Sequence, residues 1–541
     1  AQSGWLRKIF GAGEKTSIRA GFGMAYDHFG EGLVDAFDSL GSFGLSTQIS
    51  NAAGFQDISC APRLTSISVV PVNGCGGAIL IPAPPAGFPS TPPSGASAGG
   101  LSISQGVDNG LDQTPYSYMF NFTIERELTP NTVLSLSYVG NLGRHLLAQE
   151  DMTTPVNLVD PKSHVSYFQA SQALAGLINK NVAVSQVTPA MVGKTASYWA
   201  DLFPDVATLS PGICGSTATN CTPLQAAYAT FQGQAPNYSE ALFLLDVPGS
   251  LCPNGCSSLG PYSFYNSQYS SLYAWRNVTN SSYNALEVNL TKKMSKGVQY
   301  DLNYTYSRCI DVESDAERVP VYGGFDGQIA NAWDPNQLRG VCDFDTTHAF
   351  NANWVAQLPF GRGQRFGSKS GGALNALIGG WQLGGIFRLT SGFPFNVDNG
   401  FYFPTDFQLE GTATLTGPLP KTGTTKFGDG TVNVFPNPQA ALADFSYTLP
   451  GNSGIRDVLR QDGFFSFDAN LAKRWRMPWS DKQSLQFRWE VFNVLNANRF
   501  NIYNENSSPV LPEIDIGSTF GNYTGLLTNP RVMQFVLRYE F

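Results

Sequence analysis

The segment Arg531-Val-Met-Gln-Phe-Val-Leu-Arg-Tyr-Glu-Phe541, at the carboxy-terminal end of the sequence, has an apolar side chain at every second position. The apolar positions are Met533, Phe535, Leu537, Tyr539 and Phe541, and polar residues, including Gln534, Arg538 and Glu540, lie between them. Because successive side chains of a strand point to opposite faces, this alternation predicts a β-strand with one apolar and one polar face. Such a strand fits a soluble β-sandwich as well as a membrane β-barrel, so other segments must decide between the two.

The composition favours a membrane β-barrel. Charged residues make up 14% of the 541 residues and aromatic residues 13%, whereas soluble domains usually contain roughly 25% charged residues. A barrel can turn its aromatic side chains toward lipid and its uncharged polar groups toward the lumen. The formal net charge of -8 argues against nucleic acid as a partner. The sequence contains no apolar run near the ~18 residues that predict a membrane-spanning helix.

The alternating pattern recurs along the chain. The predicted strands are 16–29, 116–126, 134–139, 284–290, 298–307, 348–358, 381–390, 464–475, 485–495 and the terminal strand. Short and long connections alternate between them, and the predicted long loops are 30–114, 144–280, 309–345, 391–462 and 497–528. Outer-membrane barrels have short turns at one end and long external loops at the other. The fold class predicted is therefore an all-β, transmembrane antiparallel β-barrel with about ten strands in this chain.

The eight cysteines fall into pairs that are close in sequence. The pairs are Cys60 with Cys75, Cys214 with Cys221, Cys252 with Cys256, and Cys309 with Cys342. An even number of cysteines in loop-like sequence predicts four disulfides formed in an oxidising compartment. The alternative is zinc, for which the spacing of Cys252 and Cys256 is acceptable, although no second Cys or His pair lies nearby in sequence.

Few residues suggest a reactive or metal site. Asp311, Glu313 and Asp315 lie in a predicted external loop and are a weak calcium candidate, the alternative being a solvated acidic loop. The four histidines are dispersed, and the sequence contains neither an H-E-x-x-H nor a G-x-S-x-G motif. We therefore expect no enzyme activity, catalytic residue or cofactor. Aromatic residues of the long loops, such as Tyr198 and Trp199, are expected to form the loops' own small cores rather than a ligand platform.

Five segments resemble those of the Oar-like TonB-dependent receptors of the bacterial outer membrane. They are Tyr138-Val-Gly-Asn-Leu-Gly-Arg-His-Leu-Leu147, Phe360-Gly-Arg-Gly-Gln-Arg-Phe366, Gly451-Asn-Ser-Gly-Ile-Arg456, Gly463-Phe-Phe-Ser-Phe-Asp-Ala-Asn-Leu471 and Glu490-Val-Phe-Asn-Val-Leu-Asn496. The resemblance implies a 22-stranded barrel filled by an amino-terminal plug, with the energy-coupling protein TonB acting through that plug. No stretch of residues 1–541 resembles a plug or the family's amino-terminal domain, so we expect the chain to be the carboxy-terminal barrel portion of a longer protein.

The same resemblance sets the functional expectation. It implies an outer-membrane receptor and transporter for energised nutrient uptake, whose unidentified ligand is captured by external loops. It also implies that the terminal strand, with Phe535, Leu537, Tyr539 and Phe541, is the signal for the barrel-assembly machinery. The expected surroundings are outer-membrane lipid, with the loops extracellular. The alternative is a non-transporting surface protein, either an adhesin or a subunit of an extracellular assembly, that uses the barrel as an anchor.

Overall fold

The structure is a computed structural model of the chain. It describes residues 15–27, 101–107, 113–215, 221–314, 328–400, 402–406, 409, 411–502, 513–514 and 517–541. Most of the predicted loop 30–114, including Cys60 and Cys75, lies outside these residues. None of the helices in the described ranges is long and apolar enough to cross a bilayer.

One large sheet dominates the structure, and ten of its strands are neighbours in chain order. These strands are β1 (Thr16–Tyr26), β2 (Tyr116–Thr129), β3 (Thr132–Asp151), β4 (Tyr269–Ser295), β5 (Val298–Asp311), β6 (His348–Gln357), β7 (Trp381–Thr390), β8 (Phe465–Met477), β9 (Ser480–Phe492) and β10 (Val532–Glu540). Every neighbouring pair is antiparallel. The all-β, antiparallel prediction is therefore confirmed for the wall of the molecule.

The order of the sheet places β1 at one edge and β10 at the other. Within the described residues these two strands do not pair with each other, so the ten strands form an open sheet rather than a barrel closed on itself. A total of 22 strands stays a prediction. Consecutive antiparallel order also brings the long connections together at one end of the sheet, which we call the cap end, and the short connections together at the turn end.

The register sorts the side chains of the sheet into two faces. Opposite residues such as Leu471 and Trp489, or Phe487 and Leu537, continue one apolar face from strand to strand. The other face carries polar pairs, among them Glu490 and Gln534. Phe535 is 67% exposed and Leu537 68% exposed on the apolar face. These aromatic and aliphatic side chains do not enter a dry core, as they would in a soluble sandwich, and the predicted division into lipid and lumen faces agrees with this arrangement.

Two strands are much longer than the sequence pattern predicted. β3 contains 20 residues and β4 contains 27, whereas about 9–11 residues span a bilayer. The predicted loop 144–280 is therefore wrong at both ends, because β3 continues to Asp151 and β4 begins at Tyr269. The register between them shifts from Gly143 to Leu146 and again to Ala148. Bulges of this kind interrupt the alternation of apolar and polar residues. The sequence pattern therefore did not predict that β3 and β4 continue beyond the bulges.

Smaller corrections apply at other boundaries. The predicted loop 309–345 begins inside β5, which ends at Asp311. β9 ends at Phe492 rather than at residue 495, because Asn493 and Asn496 have positive φ angles of 50° and 49°, a conformation outside the strand region. The predicted loop 30–114 contains a strand, Leu101–Val107, which pairs in parallel with the start of β4.

The β3–β4 connection folds into a helical subdomain. Its helices are α1 (Tyr167–Ile178), α2 (Pro189–Val192), α3 (Thr195–Leu202), α4 (Val206–Leu209), α5 (Pro223–Gln234) and α6 (Tyr238–Asp246), with a 3-10 turn at Val184–Gln186. Capping boxes start α1 at Ser166 and α5 at Thr222. Tyr198 and Trp199 are fully buried in its hydrophobic core. The expectation that the loop aromatics form their own core is confirmed for these two residues.

The remaining connections contain short elements. They are α7 (Gly372–Ile378), α8 (Pro438–Ala443) and the two-residue strands Gln328–Ile329, Gly340–Val341, Pro394–Phe395, Thr414–Leu415, Thr425–Lys426, Val432–Asn433, Phe445–Ser446, Leu459–Arg460, Phe500–Asn501 and Gly525–Leu526. The β7–β8 and β9–β10 connections share a second hydrophobic core, in which Phe435 stacks on Phe520 with ring centroids 5.2 Å apart.

Candidate functional site

The described residues of four long connections at the cap end, those that follow β3, β5, β7 and β9, pack together into one body, which we call the loop cap. Its centre is the segment Gly451–Asp457, which includes one of the five family-like motifs. Gly451 has a φ angle of +79°, and a Cβ there would lie 2.5 Å from the ring of Phe168 in α1. Gly454 has a φ angle of +84°, and a Cβ there would lie 1.8 Å from the Thr412 carbonyl oxygen. Both positions therefore require glycine.

The segment also carries a buried arginine. The side chain of Arg456 is 0% exposed, and its Nη1 lies 2.6 Å from Asp311 Oδ1. Its Nη2 donates to Ser314 Oγ at 2.7 Å and to the carboxylate of Asp343. Asp457 Oδ2 lies 3.4 Å from Arg456 Nε. This one side chain thus joins the end of β5, the β5–β6 connection and the β7–β8 connection.

The titration of the cluster follows from burial and charge. Burial raises the pKa of Asp311, while the positive charge of Arg456 acts in the opposite direction. Burial alone would lower the pKa of Arg456, but the carboxylates of Asp343, Asp311 and Asp457 raise it above its usual range. The guanidinium therefore stays charged, and it takes the position that a cation would need among these carboxylates.

Hydrogen bonds fasten the helical subdomain to the other loops. Ser239 in α6 donates through Oγ to the Phe403 carbonyl at 2.7 Å. Gln172 in α1 donates to the Pro450 carbonyl at 2.7 Å, and Trp333 Nε1 donates to the Pro155 carbonyl at 3.0 Å. Contacts from two other connections, β5–β6 and β7–β8, to the β3–β4 connection make the cap a continuous structure rather than a set of independent loops.

Three of the four predicted disulfides are present, and all three lie at the cap end. They are Cys214–Cys221, Cys252–Cys256 and Cys309–Cys342. The zinc alternative at Cys252 and Cys256 does not apply, because the two sulfurs are bonded to each other. Cys309 and Cys342 lie close to the Asp311 carboxylate, but bonded sulfurs offer no thiolate to a metal.

The fourth predicted disulfide joins Cys60 to Cys75. Cys60 and Cys75 both lie outside the residues that the structure describes. Unlike the other three bridges, the pairing of Cys60 with Cys75 therefore stays a prediction. Mass spectrometry of peptides from the unreduced protein, in which the two cysteines should be found linked, would test it.

The weak calcium candidate is not assembled by the residues that the structure describes. Asp311 pairs with Arg456, and the Glu313 carboxylate accepts a hydrogen bond from the backbone N–H of Gln149 at 3.1 Å. Asp315 lies outside the described residues. The carboxylates of Asp311 and Glu313 are therefore bound to groups of the protein itself, the Arg456 guanidinium and the Gln149 backbone N–H.

Reduction of the disulfides is expected to loosen the cap and spare the sheet. The two short bridges, Cys214–Cys221 and Cys252–Cys256, lie inside the helical subdomain, whereas the sheet is held by its own antiparallel ladders. Closing such short loops contributes about 2–3 kcal/mol each at most. Limited proteolysis with and without reductant should therefore show faster cleavage in 152–268 and an unchanged strand signal in circular dichroism. Loss of the strand signal on reduction alone would contradict the division into cap and wall.

The cap contains an open cleft of about 890 Å³. Its lining residues are Gly430, Thr431, Val432, Phe500, Asn501, Asn522, Tyr523, Thr524, Gly525 and Leu526. The two hairpins that form it are joined, because the Tyr523 N–H donates to the Val432 carbonyl at 2.8 Å. The rings of Phe500 and Tyr523 lie 5.6 Å apart. The described lining is aromatic, amide, hydroxyl and aliphatic in character and includes no charged side chain.

Hydrogen bonds hold Tyr523 in place at the cleft. Its hydroxyl donates to the Gly423 carbonyl at 2.9 Å and accepts from the Asp462 N–H at 3.0 Å. Burial raises the pKa of Tyr523 to about 12, so the phenol stays neutral at physiological pH. Sequence reasoning did not identify Phe500 or Tyr523, because both lie in the loop 497–528, where no periodic pattern or motif marks them.

The predicted assembly-signal residues lie on the free edge strand. Phe535 stacks on Trp489 of β9 with ring centroids 6.0 Å apart, and Leu537 lies opposite Phe487. Tyr539 and Phe541 continue the same apolar face to the turn end. Their role in assembly stays a prediction.

A family comparison matches almost the whole chain. The family described as "Outer membrane beta barrel domain" matches residues 8–534. No curated protein sequence matches the chain.

Solved structures give more distant matches. The outer membrane transporter YddB from Escherichia coli is 8% identical with a TM-score of 0.31, over 82% of this chain and 34% of that one. The ferripyoverdine receptor of Pseudomonas aeruginosa is 9% identical with a TM-score of 0.30, over 82% and 29%. The ferric yersiniabactin uptake receptor FyuA from Yersinia pestis is 7% identical with a TM-score of 0.27, over 79% and 30%. The chain thus spans about a third of the length of these structures.

Proposed function

The chain belongs to the outer membrane beta barrel domain family, and from this premise we propose that it is an outer-membrane receptor for energised uptake of a nutrient. The proposal includes the finer assignment to the Oar-like TonB-dependent receptors, with coupling to TonB through a plug outside residues 1–541. The barrel wall lies in the bacterial outer membrane, the loop cap faces the exterior, and the ligand is captured there.

The observation that carries the proposal is the open cleft of about 890 Å³ in the cap. Ligand sites are usually concave, of about 300–1,000 Å³, with aromatic walls and a few polar groups. The cleft has that size and that lining. The hydrophobic core shared by the β7–β8 and β9–β10 connections supports the role, because it holds the two loops that line the cleft in one arrangement before any ligand arrives.

The lining also indicates the class of ligand. The described lining residues carry no charged side chain of their own, and Lys426 lies beside them, with its Nζ 5.9 Å from the centre of the Phe500 ring. The rings of Phe500 and Tyr523, beside the amides of Asn501 and Asn522, suit an uncharged polar molecule with an apolar face. A neutral oligosaccharide is the class that we propose.

Phe500→Ala is expected to weaken binding of neutral oligosaccharides by about 2- to 12-fold, since an aromatic contact contributes roughly 0.5–1.5 kcal/mol beyond its area. The measurement is binding of a panel of neutral glycans to the purified protein in detergent. Tyr402→Ala is the matched control, because Tyr402 pairs with Tyr447 in the cap but does not line the cleft. Equal losses of affinity in the two variants would contradict the proposal that the glycan binds in the cleft.

Uptake separates the transport proposal from the surface-protein alternative. Cells that carry the complete gene should accumulate a labelled glycan found in the panel, and accumulation should stop when the proton gradient is collapsed. A label that stays at the cell surface and is indifferent to the gradient would favour a non-transporting adhesin instead.

A further inference from the structure

The β6–β7 connection at the turn end is a folded structure rather than a simple turn. Residues 358–380 contain α7, and the Arg362 N–H donates to Asn375 Oδ1 at 2.6 Å. Gly361 and Gly379 touch, since a Cβ on Gly361 would lie 2.6 Å from Gly379 Cα. This segment, which we call the α7 loop, includes the family-like motif Phe360–Phe366, to which the uptake proposal assigns no role.

The α7 loop lies against the apolar face of the sheet. Trp381 Nε1 donates to the Leu377 carbonyl at 2.8 Å, and Trp475 Nε1 donates to the Ala376 carbonyl at 2.7 Å. Both tryptophans belong to the face that carries Leu383 and Phe487. The carboxy-terminal turn of α7 is therefore fixed on the lipid side of the wall, at the level where aromatic residues collect in outer-membrane barrels.

A lysine completes this attachment. Lys473, also on the apolar face, is only 3% exposed. Its Nζ donates to the Leu377 carbonyl at 3.1 Å and lies 5.3 Å and 5.2 Å from the ring centres of Trp381 and Trp475. A cation held by two indoles and a carbonyl at the edge of the apolar face is the arrangement expected where a strand leaves hydrocarbon and enters the headgroup layer.

The outer surface of the α7 loop combines apolar and cationic side chains. Leu377 is 67% exposed, and Leu374 and Phe366 are also exposed. Arg362, Arg365 and Lys369 are exposed on the same loop, and residues 358–380 contain no acidic residue. The adjacent β4–β5 turn adds Lys292, Lys293 and Lys296 to this rim, and the Gln357 N–H donates to the Gly297 carbonyl at 2.7 Å.

We propose that the α7 loop is a binding site for anionic phospholipid at the turn end of the barrel. Leu374, Leu377 and Phe366 enter the acyl-chain boundary, while Arg362, Arg365 and Lys369 contact headgroup phosphates. The site continues the lipid-facing surface of the wall, and its positive charge complements an anionic headgroup. The inference requires the outer-membrane location but neither transport nor a ligand in the cap.

The first test measures which lipid stays bound. The purified protein is mixed in detergent with equal amounts of phosphatidylglycerol and phosphatidylcholine of the same chain length, and retained lipid is counted by native mass spectrometry. Wild type should prefer phosphatidylglycerol. Arg362→Gln/Arg365→Gln/Lys369→Gln should lower the preference at least about tenfold, because each cation near an anionic surface contributes roughly fivefold. Lys180→Gln/Lys194→Gln/Lys421→Gln removes the same charge from the cap and should leave the preference unchanged.

A smaller variant guards against misfolding. Arg362 Nε also donates to the Ser370 carbonyl at 3.3 Å, so Arg365→Gln/Lys369→Gln, which leaves Arg362 in place, should still lower the preference several-fold. Equal retention by the triple variant and the cap control would overturn the proposal. So would a preference for lipopolysaccharide over phosphatidylglycerol, which would place this rim in the other leaflet.

The second test measures depth. A fluorophore on Leu377→Cys, in vesicles that contain phosphatidylglycerol, should be quenched by spin-labelled lipid and protected from aqueous iodide. The same fluorophore on Lys180→Cys in the cap should show the reverse. Iodide access at position 377 equal to that at position 180 would contradict lipid contact. Normal lipid retention together with failed assembly of the triple variant in cells would assign the surface to a protein partner instead.

Discussion

Leu537→Arg is expected to reduce the folded, membrane-inserted fraction of the protein by about 30- to 1,000-fold. Leu537 lies on the apolar face of β10, opposite Phe487, and is 68% exposed. An arginine that faces lipid costs about 2–4 kcal/mol near the middle of the bilayer, and the free edge strand offers it no neighbouring acid on that face in the described residues.

Gln534→Arg is the matched control for this substitution. Gln534 lies on the polar face of the same strand and is hydrogen-bonded to Glu490 of β9, so an arginine there gains an acidic partner and should insert nearly as well as wild type. Heat-modifiable mobility on gels and extraction of outer-membrane fractions measure the inserted amount. Similar losses for the two variants would contradict the assignment of one face of the sheet to lipid and the other to the lumen.

Arg456→Met is expected to destabilise the loop cap by about 3–5 kcal/mol, the usual cost of removing one partner of a buried ion pair. The substitution leaves the buried carboxylates of Asp311 and Asp343 without their guanidinium. Hydrogen exchange should accelerate in residues 451–460 and 340–345, whereas the ladders between β7, β8 and β9 should exchange as slowly as before.

Arg339→Met serves as the control for the arginine experiment. Arg339 is exposed on the neighbouring connection and donates to the Asn280 carbonyl at 3.1 Å, so its loss should change exchange in the cap very little. If Arg456→Met left segment 451–460 as protected as Arg339→Met does, the buried cluster would not be what fastens the loops together.

The wall of the molecule could be predicted from the sequence because each side of a strand meets a different solvent. In Val298-Gln-Tyr-Asp-Leu-Asn-Tyr304, apolar or aromatic residues alternate with polar ones, as expected for a strand between two different solvents. β5 begins at Val298, as this pattern predicted. The prediction failed where the alternation stops although the ladder continues, as in β3 beyond Gly143. There β3 is held by its hydrogen bonds to β4, and a single sequence does not show which segments pair.

The contacts inside the loop cap could not be predicted from the alternation of apolar and polar residues. Arg456 meets Asp311 across 145 positions of chain, and Phe500 meets Tyr523 through a hairpin of only two-residue strands. Neither contact leaves a periodic trace. Three of the cysteine pairs were the exception, because their disulfide partners lie within 4, 7 and 33 positions of each other.

The length of β4 sets the distance between the helical subdomain of the loop cap and the bilayer. Its 27 residues are more than twice the number that crosses the hydrocarbon, and at about 3.3 Å per residue and a tilt near 45° the excess raises the helical subdomain roughly 30–40 Å from the bilayer. In the orientation that we propose, a subdomain at that height is accessible to large solutes from the exterior.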